Sequence, residues 1–441
     1  MWRILFFLAI SSEAWATDWS QWMGAQRDGV WDETNLIETF SQGGPKVLWR
    51  TRIGPGYTGP SVVGEKVFVM DRKAGPKSPE GTPGVERLVC LEAGNGKVIW
   101  QKQWDAFYSI DYSNGPRATP TVHEGLVFAL GAEGHLACFN ADSGEVVWKR
   151  ELKTDFQCTA PTWGFAGHPL IYKDSLVCLV GGSGSTCVAL DRKTGREKWR
   201  ALSSGQAGYC PPTLIENAGQ PVLILWHADA INAIDPDTGK VYWTIPRTTL
   251  YGVSMAGPRA RADQLLVSGF WWGCKMLKMK PDNSAPEVLW ETEKESDRRT
   301  THLNALMCTP VVVDDHFYGV CSYGQLRCLD WMTGERKWET FAATTGGKEQ
   351  RWANAFLTRI GRTGNRFIIF NEKGDLIFAT LTPLGYQETG RAHVIEPDNH
   401  DCGRPVVWSH PAYANGKAFV RNDSEIICVE LAKSAAESRG R

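Results

Sequence analysis

Ala189-Leu-Asp-Arg-Lys-Thr-Gly-Arg-Glu-Lys-Trp199 and Ala233-Ile-Asp-Pro-Asp-Thr-Gly-Lys-Val-Tyr-Trp243 carry one pattern twice: the end of an apolar strand, an Asp, a turn with Gly, a short strand and a Trp. The Asp carboxylate accepts turn N–H groups, and the Gly adopts the positive φ at which a hairpin reverses. Further copies run from Leu88 to Trp100, from Leu136 to Trp148 and from Leu326 to Trp338. Weaker copies start at Met276, ending in Trp290, and at Leu376, where the Trp is lost. An eighth strand, 426–429, has no Trp after it, while Pro45-Lys-Val-Leu-Trp49 is an orphan second half of the motif.

The copies start at 88, 136, 187, 231, 276, 326, 376 and 426, a spacing of about 48 residues, which is one four-stranded propeller blade. The expected fold is therefore all-β, an eight-bladed β-propeller closed by a split first blade. The C-terminus supplies most of that blade and the strand near Trp49 its outer edge, so that no sheet edge is left open. Pro60, Pro120, Pro161, Pro212, Pro258, Pro310 and Pro405, with Asn354 in the remaining slot, are expected to open the innermost strands. The Trp rings are expected to pack between neighbouring blades.

The A-x-D-x-x-T-G-x-x-x-W pattern of 189–199 and 233–243, with Cys in the Ala slot at 328–338, resembles the repeat of the pyrroloquinoline-quinone (PQQ) type propellers, the quinoprotein alcohol dehydrogenase-like family. The opening Trp19-Ser-Gln-Trp-Met-Gly-Ala-Gln-Arg-Asp-Gly29 is similar to the W-x-x-x-R-G-x-x-R-D-G start of exported bacterial propellers of that group, with Met23 in the first Arg slot. The resemblance implies either a quinoprotein oxidoreductase or a non-catalytic scaffold of the kind represented by the outer-membrane assembly factor BamB. In the dehydrogenases it implies adjacent Cys residues over the cofactor and a calcium held by Glu, Asn and Asp. No two Cys are adjacent here, and no such calcium set is placed. The expectation is a binding or assembly scaffold without catalytic residues, metal or cofactor; PQQ with calcium, or a carbohydrate or small-ligand binder, is the alternative.

Composition narrows the partners. Forty-eight Lys and Arg against 49 Asp and Glu leave a net charge of -1, so no basic field points to nucleic acid. No apolar run reaches the roughly 18 residues of a membrane span. Met1-Trp2-Arg3, the apolar 4–10 and Ala14-Trp15-Ala16 read as a signal peptide, residues 1–16, and imply a periplasmic or secreted protein whose partners are extracytoplasmic or envelope proteins. No Cys follows the cleavage point, unlike a lipoprotein. The domain reading continues with an extension at 17–44 packing on the propeller, the propeller at 45–431 and a polar tail at 432–441. The 12 cysteines include no C-x-x-C. Cys90, Cys138, Cys328 and Cys428 fill the Ala slot as small strand residues; Cys158, Cys210, Cys308 and Cys402 form a second set before the inner-strand prolines. Equivalent positions in different blades are too far apart to bridge, although the chain as a whole leaves disulfide connectivity open.

Four long connections, 101–119, 291–309, 339–354 and 388–404, mark the face where a site is expected. The candidate ligand-binding residues are Arg117 and Arg404, to clamp a small anion or carboxylate, Trp163 and Trp352, to stack on a flat ligand, and His302. The competing reading pairs the arginines with Asp111 or Asp401 and fills the channel with Trp rings.

Overall fold

The computed structural model describes residues 18–292, 296, 298 and 300–434. The signal-peptide reading at 1–16 and the tail residues 435–441 lie outside the described residues, as does Arg299. Eight antiparallel sheets form the ring, an eight-bladed β-propeller. Blade 1 consists of Ser61–Val63, Lys66–Ala74, Gly84–Glu92 and Val98–Asp105, and blades 2 to 6 repeat that order through residue 340. Blade 7 spans Ala355–Ile360 to Gly385–His393. Blade 8 joins Ala412–Ala414, Lys417–Arg421 and Glu425–Glu430 to Val47–Arg52, with Trp49 opposite Cys428, so the two halves of the split motif meet in one sheet.

The register explains the repeat. Cys90, Cys138, Ala189, Ala233, Met276, Cys328 and Cys428 each face the motif Trp of their own blade, and the ladder slips by a residue beside that pair in every one. The bulge turns the ring of the Trp toward the following blade. There Trp148 packs against the turn glycine Gly195, where an added Cβ would lie 2.7 Å from the ring, and its Nε1–H donates to the carbonyl of Arg192 at 3.0 Å. Trp49, Trp100 and Trp199 repeat both contacts on Gly96, Gly144 and Gly239 and on the carbonyls of Ala93, Ala141 and Pro236. Blade 7, which has Gly390 in the Trp position, borrows a ring. Phe40 of the N-terminal segment packs on Phe378 at 4.9 Å, and a Cβ on Gly390 would collide with Thr39.

Two assignments need correction. Pro161 and Pro405 do not open inner strands; those strands begin at Leu170 and Ala412, directly after Pro169 and Pro411. The connections there carry an extra proline of their own. Cys158 and Cys402 accordingly leave the second cysteine set, and only Cys210 and Cys308 share its register. All 12 cysteines are free thiols.

Candidate functional site

Residues 18–31 enter the ring and close one end of its channel. Trp19 exchanges two backbone hydrogen bonds with Val62 of blade 1, and Val122 of blade 2 donates to the carbonyl of Ser20. Arg27 donates to the carbonyls of Pro169 and His168, at the start of blade 3, and Arg259 of blade 5 donates to the carbonyl of Arg27. Val30–Trp31 then pairs parallel with the inner strand of blade 7. Burial and the neighbouring Arg259 push the Arg27 guanidinium down to about 9. Met23 occupies its slot with sulfur against Arg259, which donates to it at 3.0 Å.

Above this plug lies a cup of about 290 Å³, near the small end of the range for small-molecule pockets, roughly 300–1,000 Å³. Its construction is repetitive. The residue three positions before each inner-strand proline lines it: Tyr57, Arg117, Ala166, Tyr209, Met255, Met307 and Trp408, with Arg351 three before Asn354. Each blade-to-blade crossing thus delivers one side chain to a common centre. Trp163, Tyr112, Tyr251, Phe270, Trp271 and Trp352 complete the wall.

The floor is Trp22, stacked on His168 with 4.9 Å between ring centroids and donating from Nε1 to Nε2 of His410 at 3.3 Å. Burial drives both imidazoles toward the neutral form: His410 is lowered to about 3, and His168 falls well below its ordinary value, with His410 and Arg27 adding to the effect. Thr119 donates its N–H to Nδ1 of His168, which fixes the neutral tautomer with its proton on Nε2. The wall aromatics touch one another in an arc: Trp408 and Tyr112 at 6.1 Å, Tyr112 and Trp163 at 6.3 Å, Trp163 and Tyr209 at 5.3 Å. Burial, then the charge of Asp401, raises the Tyr112 phenol, so it stays protonated.

The cup gathers some of the expected site residues and leaves others elsewhere. Arg117, Trp163 and Trp352 line it. Arg117 donates to the carbonyls of Asp111, Tyr112 and Gly115 rather than to the Asp111 carboxylate, and its guanidinium lies 5.3 Å from the Tyr57 ring centroid. Arg404 lies apart: it forms a bidentate pair with Glu372, at 2.9 and 3.1 Å, and the same carboxylate accepts from Nε1 of Trp408. Glu372 thus links Arg404 to Trp408 of the wall, and it is Arg351, not Arg404, that lines the cup together with Arg117. His302 stacks on Trp290 at 6.0 Å and does not line the cup. Trp22, Tyr57, Tyr209, Tyr251, Trp271 and Trp408 escaped the reading of long loops because most sit on short ones, whereas Arg351 lies in the long connection 339–354. For Tyr57, Tyr209 and Trp408 the signal was the proline register, once Pro411 is used; Trp22, Tyr251 and Trp271 lie outside that register.

A family model described as outer membrane protein assembly factor BamB matches residues 33–206 and again 133–374. The chain belongs to this PQQ-repeat propeller family. Among curated relatives, the outer membrane protein assembly factor BamB of Shewanella oneidensis is 25% identical over 248 residues, 52% of this chain and 60% of the relative. The 1-butanol dehydrogenase (quinone) of Thauera butanivorans is 28% identical over 160 residues, 32% of this chain and 25% of that enzyme. The chain thus spans less than two thirds of the curated relatives' length, 60% for the first of them. BamB from Moraxella catarrhalis superposes with a TM-score of 0.54 at 14% identity, covering 87% of this chain and 98% of that one. A europium-containing methanol dehydrogenase does so with 0.56 at 14% identity, covering 94% and 89%. Both likenesses are of fold.

The quinoprotein side of the family raises the question of whether this cup suits PQQ and calcium. Its lining has no Asp or Glu, and no group of three His, Cys, Asp or Glu side chains capable of holding a metal is gathered among the described residues. Calcium takes six to eight oxygen ligands, with carboxylates prominent among them. The residues present do not fit a calcium-held quinone.

Proposed function

We propose that the chain is an extracytoplasmic scaffold that binds envelope proteins, acting in outer-membrane assembly as its BamB relatives are named for, without PQQ or another cofactor. The observation that carries this reading is the match of that family's model along residues 33–374. The geometry supports it: a closed ring, locked blade to blade by buried Trp rings, holds its crossing loops in fixed positions, and a preorganised surface binds without ordering cost.

The test is affinity purification of the chain from the envelope of its own cells after mild cross-linking, with quantitation of outer-membrane proteins in a deletion strain. Stoichiometric recovery of an outer-membrane assembly component, with reduced outer-membrane protein levels on deletion, is expected. A chain recovered alone, whose loss leaves those levels unchanged, would overturn the reading.

A further inference from the structure

Four aromatic residues of the cup hold a backbone that bulky side chains rarely adopt. Tyr112, Tyr251, Trp271 and Trp352 have φ of 54°, 55°, 69° and 58°, in the left-handed region, and all four line the cup. Such residues are strained, and strain of this kind clusters at ligand clamps and active sites. They come from three different crossings and one hairpin, so no single loop motif accounts for them. What they share is the direction of their rings, toward one cavity.

Charge then selects the kind of ligand. The aromatic faces alone would suit an organic cation. Arg117 and Arg351, however, both line the cup, and neither has a carboxylate within ion-pair distance among the described residues. Arg117 is bound only to carbonyls, and Arg351 lies over the Trp352 ring at 4.2 Å. Asp401, whose charge acts on Tyr112 and Tyr57, is not part of the lining. A cation would meet two guanidinium groups, whereas a carboxylate would meet two charge-assisted donors. Carbohydrate is disfavoured by the same surface, since the lining has no Asp, Glu, Asn or Gln to pair with its hydroxyls.

We propose that the cup is a binding site for a small, flat, mostly apolar monoanion of the aromatic carboxylate class. Its ring system stacks against Trp163 and Trp352, and its carboxylate is held by Arg117 and Arg351. This goes beyond the scaffold reading and does not depend on it. A protein partner on the outer loops and a small molecule in the cup are separate events.

The test is calorimetric titration of the full chain with three probes of one shape and different charge: 2-naphthoate, 2-naphthylmethanol and 2-naphthylmethylammonium. Naphthoate is expected to bind once per chain, at least about tenfold more tightly than the alcohol, with the ammonium weakest. Arg351→Gln changes an exposed side chain that holds no backbone, so it should fold normally; it should bring naphthoate close to the affinity of the alcohol and leave the alcohol unchanged. Trp163→Ala should weaken both. Equal affinity for all three probes, naphthoate binding unaltered in both variants, or no saturable heat from naphthoate would overturn the proposal. So would saturable binding of an acidic, aromatic peptide by a chain silent to naphthoate, because the cup would then belong to a protein partner.

Discussion

Gly195→Ala tests whether the repeat glycine exists for the Trp of the preceding blade. Gly195 has φ of +69°, and a Cβ there would stand 2.7, 2.8 and 3.0 Å from three ring carbons of Trp148. Two penalties add. An alanine held at positive φ costs about 1–2 kcal/mol through its own backbone. The collision must be relieved by moving a buried indole whose Nε1–H is bonded to Arg192, an overpacking change of about 1–3 kcal/mol. The total is roughly 2–5 kcal/mol. Gly125→Ala is the matched control, because Gly125 has φ of +74° with nothing within 4 Å of an added Cβ, and it should lose only the backbone part, about 1–2 kcal/mol. Urea unfolding followed by Trp fluorescence and by far-ultraviolet dichroism reads both variants. Equal destabilisation by the two would refute the docking argument and leave Gly195 as a turn residue only.

Truncation after Gly416 removes Lys417–Arg421 and Glu425–Glu430, the second of which pairs with Val47–Arg52, and should abolish the cooperative melt; an unchanged transition would count against a closed ring. Arg421→Met removes the buried guanidinium that donates to the carbonyls of Met70 and Gly54 across the seam between blades 8 and 1, leaving Met70 the Thr58 hydroxyl alone, and should lower stability by roughly 1–3 kcal/mol in the same urea assay. For His168 and His410 the folded form is depressed below the ordinary 6.5, to about 3 for His410, so the unfolded chain takes up protons first as pH falls. Stability should be full above about pH 6.5 and decline toward pH 3 by up to about 1.4 kcal/mol per pH unit for each group. His410→Gln should flatten that slope in urea midpoints measured at pH 7.5 and 4.5, and an identical slope would remove His410 from the account.

The ring itself was legible in the sequence because its determinants are local. A turn Asp, Asn or Glu, a Gly at positive φ and a Trp four residues later recur in five of the hairpins, and the small residue opposite the Trp lies in the same few residues of chain. The orphan motif half at Trp49 revealed the closure for the same reason, since a half-hairpin demands its other half. The cup was not legible in this way. Its residues share a position relative to the inner strands, but Pro161 and Pro405 imitate the marker in two long connections, and only the folded chain shows that Pro169 and Pro411 hold the register. Arg404 looked available in the sequence, yet it is taken by Glu372, 32 residues away on a turn of blade 7. Trp22 and Arg27 read as part of a leader motif, and their partners at Pro169, His168 and His410 lie more than 140 residues along the chain. Pairing within a hairpin depends on neighbours in sequence; a cavity at the centre of a ring depends on eight separate crossings arriving together, and that convergence exists only once the ring has closed.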